Sequence, residues 1–181
     1  YISSLPRQVR EFYEQLRPEG TCRLTLEVAR RSGDERPEVS GRLDIINGRF
    51  LYSKFPYPLR EVTGRIEFGR DPGGGADRVE IRQIRGRGIE NGPNRNAVIT
   101  LDGDIGPLGP NTGVSVTVAA NDVSSEETLR QAFPPEVRKA LSIFDPAGKG
   151  EFPKYRGKFT CHIVRPVGER TPWSFDTDVT L

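Results

Sequence analysis

Cys22, Cys161 and His162 have the widest chemical range of any side chains here, and the sequence holds no other cysteine or histidine. A tetrahedral metal centre needs more such ligands than these three can supply. We read the cysteines as two free thiols acting as small hydrophobes, with a single disulfide as the alternative, so they do not decide the compartment. His162 falls on the polar side of the alternating stretch "KFTCHIVR" and reads as solvated. Asp102 and Asp104 in "DGDIGPLG" lack the later carboxylate of a calcium loop and read as a turn. Asp176 and Asp178 alternate along a strand face with no acid or base partner beside them. The glycines of "DPGGGAD" (71–77) open no helix, so they form a hairpin tip rather than a phosphate cradle. "RGRG" (85–88) sits between strand signals and reads as a bulge rather than an RNA-binding stretch. Arg30 and Arg165 recur at equivalent positions and are expected to meet carboxylates on neighbouring strands. Trp173 is expected to pack at a strand start. No nucleophile stands next to a base. The residues call for no cofactor, no metal and no enzymatic activity.

Composition limits partners as well. Hydrophobic residues make up 34% of the 181, and 20 glycines and 15 prolines announce many turns. The 27 basic residues nearly balance the 25 acidic ones, for a net charge of +2. No field of one sign is available to steer nucleic acid or an anionic surface. No apolar run is long enough to span a bilayer, and no signal peptide is visible. The chain opens without methionine and ends inside an alternating stretch, which reads as a segment of a longer polypeptide.

The elements that must position these residues are mostly strands. "CRLTLEVAR" (22–30) places Cys22, Leu24, Leu26 and Val28 on one face, against Arg23, Thr25 and Glu27 on the other. The same period of two runs through 39–45, 60–68, 78–84, 96–105, 113–120, 158–165 and 175–181. Asn47-Gly48 reads as a two-residue hairpin turn leading into a further strand, "GRFLY". "FPYP" (55–58) has too much proline for a helix or a central strand. Helix is expected only at about 5–17 and 124–144, the second opening on a capping box of Ser124 and Glu127.

The chain also repeats itself. Pro6, Val9, Arg10, Pro18 and Gly20 fall on Pro134, Val137, Arg138, Pro146 and Gly148 at a constant offset (134 − 6 = 128). After an insertion, "RLTLEVAR" (23–30) lies on "KFTCHIVR" (158–165), and "VSGRLDI" then lies on "FDTDVTL". We read 1–128 as one full repeat and 129–181 as the start of the next. Such units stack into arrays. Glycine precedes an apolar residue in "GRL", "GRI", "GDI" and "GKF", on the apolar face each time, where a missing side chain lets a strand bend inward. About nine strands at ~4.8 Å spacing present an apolar face on the order of 950 Å². Two helices of ~13 residues would shade only about 200 Å² each. The sheet therefore either folds on itself or leaves apolar surface for a ligand.

"LPRQVREFYEQLRPEG" followed by "VSGRLDIINGRFLYSKFPYPLREVTGRIEF" resembles the repeats of the AsmA-like envelope proteins, the group that includes TamB. The matching positions are Gly41 and Leu43, Asn47 to Phe50, Phe55 to Tyr57, and Val62 to Ile66. "IRGRGIENG" and "VITLDGDIG" are similar to the strand pair that follows in that family. The resemblance implies a mainly β fold, an elongated antiparallel sheet curled into an open trough with two short helical segments. It implies a periplasmic location, with a membrane anchor elsewhere in the polypeptide. It also implies a groove for phospholipid or other acyl chains in the service of outer-membrane biogenesis. The expected lining is Leu24, Leu26 and Val28, then Leu43 and Ile45, Ile66 and Phe68, Val79 and Ile81, Ile99 and Leu101, and Val116 and Val118. Neighbouring repeats of the same chain and inner- and outer-membrane proteins are the implied partners; nucleic acid is not. The alternative is a scaffolding or adhesion module built of β repeats. A polysaccharide-binding accessory domain is weaker, because the aromatics form no platform.

Overall fold

The structure is a computed structural model and describes residues 14, 17–30, 38–53, 55–70, 77–124, 126–132, 135, 138 and 156–180. One open antiparallel sheet of eight strands dominates it, and each strand pairs with its neighbour in sequence. The strands are β1 (Glu19–Ala29), β2 (Glu38–Tyr52), β3 (Phe55–Arg70), β4 (Asp77–Arg87), β5 (Val98–Gly106), β6 (Gly113–Ser124), β7 (Arg156–Arg165) and β8 (Ser174–Thr180). A short helix, α1 (Glu127–Ala132), follows β6. The fold is mainly β, as alternation requires.

Register keeps all the alternating apolar residues together. Leu24 faces Leu43, Leu43 faces Ile66, and Ile66 faces Ile81. Beyond Gly103 the same row continues through Val116 and Ile163 to Phe175. Partners directly opposite one another lie on the same side, so this is one apolar face crossing every strand. Arg23, Asp44, Arg65 and Arg82 occupy the other side in the next row.

Several local expectations are corrected. Asn47-Gly48 is no hairpin turn: β2 runs through it, and the turn lies after Tyr52, which pairs with Phe55. The register shifts between Ile45 and Gly48, so the residues between them form an irregularity that a strand absorbs. "FPYP" belongs to β3, yet β4 first pairs with that strand at Arg60. Pro56 and Pro58 therefore lie where β3 has a partner on one side only, the position a strand proline tolerates. "RGRG" is not the bulge. Ile84 to Arg87 pair regularly with Leu101 to Val98, and the shift comes earlier, between Ile81 and Ile84. Asp102 and Asp104 lie within β5 rather than in a turn. Ser124 ends β6 instead of capping a helix, because Asn94 takes both of its backbone groups. The expected helix over 5–17, the later part of 124–144 and the glycines of 73–75 fall almost wholly outside the described residues.

The bulges hold residues in the left-handed region that carry no sequence mark for it. Glu61 has φ 51°, Gln83 52° and Asp122 58°, each at a register shift in β3, β4 or β6. An extra residue at each point keeps Ile84 on the face of Ile81 and Val123 on the face of Ala120, where strict alternation would turn them over. The exposed N–H of Gln83 donates to Asp102 Oδ1 at 2.6 Å.

Candidate functional site

The apolar face is built outward from its middle. Val62 is completely buried, and Ile45, Ile81 and Ile84 are nearly so; Leu43, Leu59, Ile66, Val79, Leu101 and Val116 pack around them. Among the described residues no second layer lies across this cluster, so strand neighbours supply the burial. Glycine permits the closeness. A Cβ on Gly64 would stand 2.6 Å from the Ile84 Cα and the Gln83 oxygen, and its φ of 136° also suits glycine. A Cβ on Gly41 would meet the Phe68 ring at 2.7 Å.

Exposure rises toward β1. Leu24 is 49% exposed, Leu26 51% and Val28 66%. The expected lining residues all share this face. Ile45 and Ile81 are buried, the three on β1 are exposed, and Leu43, Ile66, Phe68, Val79, Ile99, Leu101, Val116 and Val118 lie between. Phe50, Val62, Ile84, Ile105 and Phe159 extend the surface further. The bulge hid Ile84, whereas Val62 is legible by alternation from Ile66. At the opposite edge Phe175 is 66% exposed and Trp173 51%.

One end of the face is closed. Leu129 and Ala132 of α1 are buried with Tyr57, against Phe55, Leu59, Ile89, Ile99 and Val123. Beneath them runs a polar network that sequence reasoning missed. The Tyr57 hydroxyl donates to Glu126 Oε1 at 2.6 Å, and Asn94 Nδ2 donates to the same oxygen at 3.1 Å. Asn94 Nδ2 also donates to the Ser124 carbonyl at 2.9 Å, and the Ser124 N–H returns to Asn94 Oδ1 at 2.6 Å. Burial, and then the hydrogen bond to the Glu126 carboxylate, push the Tyr57 phenol well above its ordinary range. These groups are far apart in sequence, so no local pattern could have joined them.

The polar face is a lattice of charges. Arg65 Nε donates to Asp44 Oδ1 at 2.8 Å, and Arg42 Nε lies 3.2 Å from Asp44 Oδ2. Arg82 bridges Glu80 at 2.7 Å and Asp104 at 3.0 Å. The Arg65 guanidinium holds the Asp44 carboxyl below its usual value. Exposed pairs of this kind contribute little each, but they mark this side as the wet one. His162 is exposed on it, 2.9 Å from the Thr117 hydroxyl. Arg165, at the end of the apolar row of Val79, Ile105 and Val114, meets no carboxylate among the described residues but lies over Trp173, 5.8 Å from the ring centroid. That ring sits beside the start of β8 half exposed rather than packed. Both cysteines are free, Cys22 exposed and Cys161 half-buried. Among the described residues no three potential metal ligands gather, and no helix is long and apolar enough to cross a membrane.

The chain matches no protein-family model, no curated protein and no solved structure.

Proposed function

We propose that this chain is a segment of a β-trough, built of AsmA-like repeats, whose apolar face takes the acyl chains of a phospholipid or similar lipid. The polypeptide would be tethered to a membrane through other parts, lie in the periplasm, and support outer-membrane biogenesis together with neighbouring repeats and envelope proteins. The observation that carries the reading is the division of one open sheet into a side that is apolar from β1 to β6, exposed at β1 and interrupted at Arg165 of β7, and a charge-laced opposite side. Hydrocarbon against the first side would gain about 25 cal/mol per Å² removed from water. The second side would hold the segment in solvent. Bulges in β2, β3, β4 and β6, with close backbone approach at Gly41 and Gly64, favour a sheet curling toward its apolar side.

The test is mass spectrometry of detergent-free protein, comparing the unaltered chain with Ile99→Asp and Val116→Asp. The reading expects lipid on the unaltered protein, and folded variants that have lost it. A stable, lipid-free unaltered protein would overturn it. That outcome would leave a non-enzymatic scaffolding or adhesion module. One observation favours that second reading: Ile45, Val62, Ile81 and Ile84 are already covered by their own strand neighbours.

A further inference from the structure

We infer that two copies of this chain associate through the edge of β1 that no described strand covers, in one antiparallel register centred on Thr25. The inference does not depend on lipid binding. β1 has 11 residues, all of them exposed, and contains no proline. Among the described residues it pairs only with β2. An edge of this length without proline or an inward charge is a template for another strand.

The sequence of β1 is its own complement. Placing Thr25 opposite Thr25 of a second copy sets Arg23 opposite Glu27 and Glu27 opposite Arg23. On the other side Leu24 meets Leu26, and Cys22 meets Val28. Both charge pairs are then opposite in sign, and the apolar residues stay on one side of a continued sheet. Main-chain direction agrees. A Cβ on Gly41 of β2 would stand 2.7 Å from the Thr25 oxygen, so Thr25 turns its peptide groups toward β2. Leu24 and Leu26 then turn theirs outward, ready to bond a partner strand. Thr25, Arg23 and Glu27 become the close, non-hydrogen-bonded pairs across the junction, where side chains approach most. The other edge lacks this property. In β8, pairing about Thr177 would oppose Asp176 to Asp178 twice. A two-fold junction at β1 closes after two copies, whereas joining β1 to β8 would grow without end.

The experiment uses the 181-residue chain. Sedimentation equilibrium should give twice the monomer mass. In a Cys22→Ser, Cys161→Ser background, Thr25→Cys should oxidise to a disulfide-linked dimer, because only a register centred on 25 brings that position against itself. Arg23→Glu or Glu27→Arg alone should weaken association by on the order of tenfold, since each creates two like-charge pairs across the junction. Combining them should restore it. Circular dichroism confirms that each variant is folded. A monomer at every concentration, oligomers growing past two, or a double reversal as weak as the single ones would each overturn the proposal.

Discussion

At the scale of the residue, Tyr57 and Asp44 show how burial decides what a polar group is worth. Tyr57 is 4% exposed and donates a hydrogen bond to Glu126. Tyr57→Phe leaves that carboxylate with Asn94 as its remaining side-chain donor among the described residues, and should cost about 1–3 kcal/mol in urea unfolding. Because burial raises the folded-state value, the stabilisation is complete below the unfolded tyrosine pKa, about 10. It is lost as pH climbs from there toward the folded value. An absorbance titration should show that the phenol missing in Tyr57→Phe ionises well above the ordinary tyrosine range. Asp44 runs the other way. Its folded value is depressed, chiefly by the Arg65 hydrogen bond, so its contribution is present above the unfolded carboxylate pKa and lost as pH falls through the folded one. Arg65→Gln should move the Asp44 carbon resonance to titrate at higher pH; an unchanged midpoint would mean that the pair does not persist in solution.

At the scale of the element, Val79, Ile81, Leu101 and Val116 could be assigned to one face from alternation alone, and the register keeps them there. Alternation failed where a residue was inserted. Nothing about Gln83 or Glu61 announces a positive φ, since the bulge is fixed by the neighbouring strand, as with Asp102 accepting the Gln83 N–H. Asn47-Gly48 misled for a related reason: the dipeptide suits both a turn and an irregular strand, and only pairing with β1 and β3 decides between them. Gly64 was legible as special but not in how it acts. Gly64→Ala should cost at least about 1–3 kcal/mol from its backbone conformation alone. The contact with β4 adds to that, so a midpoint within error of the unaltered protein would show that β3 and β4 separate easily.

At the scale of the whole molecule, stability should be graded across the sheet. Val62→Ala, at the buried centre, should cost about 2 kcal/mol. Val28→Ala, 66% exposed at the edge, should cost under about 0.5 kcal/mol. Amide exchange should follow the same gradient, slowest in β3 and β4 and fastest in β8, with β1 as fast as β8 only where no second copy pairs with it; uniform protection would contradict a single-layer sheet. The strictly sequential strand order carries a kinetic consequence. Each strand needs only the one made just before it, so the loop entropy of folding is spent one connection at a time. The long connection from Ser124 to Arg156 is the exception. A chain threaded out end-first, from a ribosome or a secretion channel, could thus lay down β1 through β6 in order as each emerges, pause across that connection, and resume with β7 without undoing anything already folded.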